Sequence, residues 1–233
     1  MEVQEWKQMV PLRSILVLLA IFVTAVIVAN FTAGVKLVTL WGFVLPAGFL
    51  AYAVTFPITD MVSEVYGKRI AQMFVAAGLV AAVASLLLIL AAYYMPPLMP
   101  DMQDLYSKAF MPALRVTVAG LVAYIISQSH DVWAFHVWKR VTRGKWLWLR
   151  NNASTIVSQL IDTVTFITLA FYGVVPNDVL LKLILGQWMW KVLVAVLDTP
   201  FVYLGVYILR RSLPAAAKLA GPSTAPSKPS NNV

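Results

Sequence analysis

No side chain carries a charge from Ser14 to Val35, and the same holds from Leu37 to Thr59 and from Ile70 to Pro100. Each run is long enough to cross a hydrocarbon core of roughly 30 Å as a helix, which takes about 20 residues. Composition agrees. The chain is 61% hydrophobic and 12% charged, whereas a soluble domain is about half apolar and about a quarter charged. Too little polar surface is left to wrap a core in water, so the chain reads as an all-α polytopic membrane protein. With breaks at charged residues and at Pro96-Pro97, a bundle of six transmembrane helices is expected over residues 14–35, 38–60, 70–95, 114–138, 152–175 and 183–209. The first apolar stretch is too long for a cleaved signal and is read as a retained helix. Residues 1–211 then form the membrane domain, and residues 212–233, rich in Ala, Pro and Ser, form a disordered tail.

The basic residues set the orientation. Six spans place the N-terminus, the second and fourth loops and the C-terminus on one side, and these hold thirteen of the 18 lysines and arginines. That asymmetry puts both termini in the cytoplasm. The net charge of +8 is therefore a topology signal rather than a nucleic-acid footprint, even for the basic run Lys139–Arg150. The absence of cysteine excludes disulfides, thiolate metal sites and a cysteine nucleophile.

A charge near the centre of a bilayer costs about 2.5–3.5 kcal/mol on insertion scales, so such residues face a cavity, a partner or a pathway. Between Asn151 and Asn177 the only charged side chain is Asp162. Asp60, Asp131, Lys191 and Asp198 are the other charges inside spans, with Glu64, His130 and His136 near cytoplasmic ends. Spacing groups them. Gln159, Asp162, Thr163 and Phe166 share one helical face, Gln128 and Asp131 a second, and Gln187, Lys191 and Asp198 a third. The phrase "SQLIDTVTF" (Ser158–Phe166) has a relative in "SQSHDVWAF" (Ser127–Phe135). Such residues also serve as interhelical glue, and Lys191 could pair with Asp162 or with Asp198 for assembly alone. Four acids, one lysine and three glutamines exceed what packing needs, which points to a polar cavity. Tyr124, Trp133, Phe166, Trp188 and Trp190 lie beside the stripes and could wall a flat ligand.

A cavity of carboxylates, amides and rings in a chain with no soluble domain reads as a small-molecule carrier. No nucleophile elbow, metal-spaced histidine pair or phosphate-binding loop is present, so neither catalysis nor a cofactor is indicated. Pro57 is expected to kink or end the second helix just before Asp60. The corner beyond it would be held by Asp60 or Glu64 pairing with Lys68, Arg69 or the loop Arg143–Arg150, or would act as an inner gate. Acids on the second and fifth helices hint at an inverted three-plus-three repeat.

"VANFTAGVKLV" (Val28–Val38), "GFVLPAGFLAYAVTFPITDMVSEVYGKRIAQ" (Gly42–Gln72) and "WLRNNASTIVSQLIDTVTFITLAFYG" (Trp148–Gly173) resemble the queuosine precursor transporter family, also known as a vitamin uptake family. The resemblance runs from the first helix to the sixth. It implies six helices in the cytoplasmic (inner) membrane and uptake of 7-deazaguanine bases, cyano- or aminomethyl-substituted, for tRNA modification. Matching positions are Asn30, Asp60, Glu64, Gly67, Asp131, Asn152, Ser154, Asp162 and Lys191. A deazaguanine offers ring N–H and exocyclic NH2 donors side by side, which a carboxylate, Asp162 or Asp131, could accept. Its carbonyl needs a donor from Gln159, Gln187 or Lys191, and its flat ring needs an apolar slot. The expected substrate-binding residues are therefore Gln128, Asp131, Gln159, Asp162, Phe166, Gln187 and Lys191. The expected gate or coupling residues are Asn30, Asp60, Glu64 and Asp198. The expected partners are the base and the lipid bilayer, with a homo-oligomer left open and no nucleic acid. Two alternatives stand beside this: a substrate-capture subunit served by a separate ATPase module, and an intramembrane enzyme.

Overall fold

The computed structural model describes residues 2–141, 147–197 and 199–212. Within them the order is α1 (Glu2–Val35), β1 (Leu37–Leu40), β2 (Phe43–Pro46), α2 (Phe49–Tyr66), α3 (Lys68–Tyr93), α4 (Pro100–Val141), α5 (Leu147–Phe171), α6 (Asn177–Leu197) and α7 (Thr199–Ser212). The expected tail lies outside the described residues from Leu213 onward. Large aliphatic side chains such as Leu50, Val80, Leu88, Leu105 and Leu185 are on the outside, whereas Ala25, Ala29, Ala33, Ala113, Ala119 and Ala123 are buried. That is the packing of helices in hydrocarbon, where small residues let backbones approach and no hydrophobic force drives the large ones inward. Among the described residues, three segments are long and apolar enough to cross a membrane: Leu12–Val35, Arg69–Tyr93 and Pro100–Ser127. Val157–Phe171 is a shorter apolar segment.

The second expected helix, 38–60, is corrected. Its first part is an antiparallel hairpin pairing Leu37 with Pro46, Val38 with Leu45, Thr39 with Val44 and Leu40 with Phe43. The turn residues Trp41 (φ 50°) and Gly42 (φ 83°) are both left-handed, as a two-residue primed turn with right-handed strand twist requires. Glycine adopts that conformation freely, while Trp41 is strained in it. The hairpin lies along α6. A Cβ on Gly186 would sit 2.5 Å from the Val44 carbonyl oxygen, and the Trp41 ring is 6.5 Å from that of Trp190. Trp190 is four residues, about 6 Å, further along the helix, so the hairpin tip points the way α6 runs. Non-helical backbone at membrane depth survives where protein buries it or where it lines a cavity. Leu45 and Pro46 at the inner end of β2 are buried.

Two further expectations change. α2 neither kinks to a stop nor ends at Pro57, but continues to Tyr66. Hydroxyls on both sides of the proline donate to carbonyls of the same helix: Thr55 to Tyr52 O (2.6 Å), and Thr59 to Thr55 O (3.1 Å) and Phe56 O (2.8 Å). Such back-bonding lets a membrane helix tolerate a missing N–H. α2 turns into α3 through one residue, Gly67, at φ 89°. The span expected at 183–209 starts earlier, at Asn177; it is described as α6 up to Leu197 and as α7 from Thr199, with residue 198 between them outside the described residues.

α4 begins well before the expected residue 114 because its polar first turns are tied to the end of α3. Tyr106 donates its hydroxyl to Ile89 O (3.0 Å), and the Gln103 amide donates to Tyr93 O (3.1 Å). Arg115 of α4 closes the other end of α5, donating to Leu169 O (2.7 Å) and Tyr172 O (2.5 Å), where a cation also suits the helix dipole. One apolar cluster joins α1, α4, α5 and α6 around Ala33, Val116, Ile167, Phe171 and Leu183. A second joins α1, α2 and α3 around Phe22, Ile58, Val62 and Phe74. An internal cavity lies between the two.

Candidate functional site

The cavity has a volume of about 320 Å³ and takes walls from all of α1 to α6 and from β2. Helical spacing explains who faces it. α5 contributes Gln159, Asp162 and Phe166, and α6 contributes Gln187, Trp190 and Lys191, both at i, i+3 and i+4 or i+7. Five of the seven residues expected to bind substrate are therefore brought together: Gln159, Asp162, Phe166, Gln187 and Lys191. The other two, Gln128 and Asp131, lie on α4, and their side chains are outside what the structure describes. Thr163, placed on the same stripe by spacing, is fully buried and donates its hydroxyl to Gln159 O (2.8 Å) instead.

Asp162 and Lys191 form an ion pair of 2.6 Å between Oδ2 and Nζ, with side chains 23% and 8% exposed. Of the two partners that spacing offered to Lys191, it takes Asp162; Asp198 lies outside the described residues. The other carboxylate oxygen, Oδ1, accepts from the Ser127 hydroxyl at 3.4 Å, which also lies 3.2 Å from Tyr124 O. His130 Nδ1 and Ser158 Oγ are 3.0 Å apart. The two related phrases thus pack against each other in antiparallel sense, Ser127 opposite Asp162 and His130 opposite Ser158. Asp162 thus has a donor at Oδ2 and the shared Ser127 hydroxyl near Oδ1, and both oxygens keep lone pairs for further donors.

The residues expected to gate divide differently. Asn30 lines the cavity and also a side chamber of about 10 Å³ that includes Ser85 and Thr117, room for one water molecule. Asp60 is exposed and does not line the cavity. Among the described residues Glu64 pairs with Arg210 at the end of α7 rather than with Arg69, its Oε1 2.6 Å from Arg210 Nη2 and both side chains more than half exposed; the side chain of Lys68 lies outside the described residues. A pair that open to solvent contributes no more than about 1 kcal/mol. Arg210→Ala is therefore expected to leave the thermal unfolding midpoint nearly unchanged. A large drop, measured on the detergent-purified variant, would mean that the α2–α7 seam is more enclosed than this.

Sequence reasoning missed the contribution of α2. Phe49, Tyr52, Phe56 and Thr59 line the cavity at i, i+3, i+7 and i+10, a stripe legible from spacing but shared by any lipid-facing aromatic row. Tyr52 and Phe56 meet edge to face at 5.3 Å, and Phe49 meets Trp190 likewise at 4.7 Å. Tyr124, Phe166 and Trp190, which were expected to wall a ligand, line the cavity; Trp188 does not. Among the described residues no group of three or more His, Asp or Glu could hold a metal ion.

Comparison with known proteins adds the following. The sequence model of the family described as "Putative vitamin uptake transporter" matches residues 46–205. The "Probable queuosine precursor transporter" of Bacillus subtilis (strain 168) is 32% identical over 173 residues, covering 72% of this chain and 75% of that protein. The "Queuosine precursor transporter" of Escherichia coli (strain K12) is 26% identical over 135 residues, covering 58% and 59%. No solved structure matches the chain.

Proposed function

The chain belongs to the vitamin uptake transporter family, a family of membrane carriers rather than enzymes, and we propose that it imports a queuosine precursor, a 7-deazaguanine base, across the cytoplasmic membrane. The observation that carries this reading is the cavity. About 320 Å³ falls within the range of small-molecule sites, roughly 300–1,000 Å³, and its lining combines rings with a few converging polar groups. Tyr52, Phe56, Tyr124 and Phe166 supply apolar and aromatic wall, while Asp162, Lys191, Gln159 and Gln187 supply polar contacts. The names of the two relatives support the choice of base.

In this reading the protein works as six spans with both termini in the cytoplasm, as the basic residues favour, and an inverted three-plus-three repeat belongs to the same proposal. Exchange between outward and inward access is assigned to the seam where Glu64 of α2 meets Arg210 of α7. Asp60 lies one turn before Glu64 on that seam and Asn30 between the cavity and its side chamber, while Asp198 belongs to the same proposal on sequence alone. The solvent exposure of the Glu64 pair lets the seam part at small cost.

The test is uptake of labelled 7-deazaguanine bases by the purified chain in sealed liposomes, with guanine as control and with a pH gradient as the variable. Saturable uptake by the chain alone is expected. Tight binding without uptake would make it a capture subunit that needs an energising partner. Absence of binding would overturn the choice of ligand.

A further inference from the structure

Two polar atoms in the cavity wall are buried without a hydrogen-bond partner among the described residues: Oε1 of Gln187 and Nε1 of Trp190. Both side chains line the cavity. They stand three residues apart on α6, on one face, with Lys191 following at i+4 from Gln187. A buried indole N–H ordinarily finds an acceptor, and a buried amide oxygen left unpaired is destabilising. An unpaired acceptor and an unpaired donor one helical turn apart, on residues that line a cavity large enough for a bicyclic base, are what a ligand's own donor and acceptor would complete.

The polar groups already engaged narrow the choice. Lys191 is committed to Asp162 at 2.6 Å and Asp162 to Ser127 at 3.4 Å, so the strongest donor and acceptor in the cavity are already paired in this state. The Trp190 ring is held from two sides, by Phe49 at 4.7 Å edge to face and by Trp41 at 6.5 Å. Its N–H direction is therefore fixed by packing, which is what a specificity contact requires.

We propose that Trp190 and Gln187 together read the lactam edge of the base: Trp190 Nε1–H donates to the ring carbonyl, and Gln187 Oε1 accepts the adjacent ring N–H. Trp190 is then a hydrogen-bonding specificity residue and not simply an aromatic wall. The assignment rests on the reading of the substrate as an oxo-purine-like base and names the atoms that recognise it. A site built to bond a lactam rejects an analogue that lacks it, because its own buried groups are left unpaired.

The experiment measures equilibrium binding of 7-deazaguanine and of 2-amino-7-deazapurine, which lacks the carbonyl and its ring N–H, to the full chain and to Trp190→Phe. The wild-type protein is expected to prefer the oxo base by at least about tenfold, and Trp190→Phe, which keeps a ring but removes the N–H, to lose most of that preference by weakening only the oxo base. Retention of the preference in Trp190→Phe overturns the assignment while leaving the proposed substrate class intact. Equal weakening of both bases also overturns it, since that reports lost packing. Binding of neither base by the wild-type protein overturns the substrate reading and this assignment with it. Should Trp190→Phe not fold, Gln187→Leu carries the test with the N1-methyl base: loss of the wild-type discrimination against N1-methylation supports the assignment, and its persistence refutes it.

Discussion

Lys191→Met is expected to abolish uptake and to destabilise the protein by about 3–5 kcal/mol, the range found when one partner of a buried ion pair is removed. The pair is short, at 2.6 Å, and Lys191 is almost fully enclosed. Methionine matches the aliphatic stem of lysine but leaves the Asp162 carboxylate with only the longer contact to Ser127. A carboxylate so placed has lost most of what offset its removal from water. The double variant Lys191→Met with Asp162→Asn is expected to recover most of the stability, since a neutral pair of similar volume is tolerated where a lone charge is not. It is not expected to recover uptake. That split separates two roles of the same residues. Thermal unfolding of the purified variants reads the structural one, and liposome uptake reads the functional one. Uptake at wild-type rate in the double variant would reduce Asp162 and Lys191 to interhelical glue and move substrate recognition elsewhere in the cavity.

The same pair shows how far the sequence reaches. Asp162 was legible because a charge in an otherwise uncharged run must turn inward, and the spacing to Gln159 and Phe166 then fixes the face. Its partner was not legible, because Lys191 shares a helical face with Asp198 and nothing local distinguishes that neighbour from a residue on α5. The hairpin was hidden for a different reason. In water, strands announce themselves by alternation of apolar and polar residues, but "LVTLWGFVLP" is apolar on both faces and merged with the helix that follows. Trp41-Gly42 and Pro46 were the available signals, and the length of the uncharged run outweighed them. The aromatic stripe of α2 was visible as spacing but had no polar member to say which way it faced.

Glycine-to-alanine replacement is expected to have sharply different effects at three positions around the cavity, and the largest is at Gly48. Its backbone is ordinary, at φ −61° and ψ −13°, so conformational freedom is not the reason for a glycine there. The reason is contact. A Cβ at Gly48 would lie 2.1 Å from the Ala29 carbonyl oxygen and 2.8 Å from Ala33 Cβ. Backbone oxygen cannot rotate aside, so α1 and the start of α2 must separate by on the order of 1 Å, which opens the stripe of small residues that holds them. Overpacking of this kind typically costs about 1–3 kcal/mol and occasionally more. It would also shift Phe49 and Tyr52, and with them the cavity wall, so base binding should fall together with stability. At Gly78 the nearest atom is Phe22 Cε1 at 2.8 Å, a side-chain ring that can tilt, and the loss should be smaller. At Gly120 nothing lies nearer than Phe166 Cε2 at 4.0 Å, so alanine fits, and its better helix propensity should stabilise by up to about 1 kcal/mol. Unfolding midpoints in the order Gly120→Ala, then Gly78→Ala, then Gly48→Ala test the packing of α1 on α2 without reference to any ligand. A Gly48→Ala protein as stable as the Gly120→Ala one would mean that the two helices do not meet at Ala29, and the inner wall of the cavity would have to be drawn again.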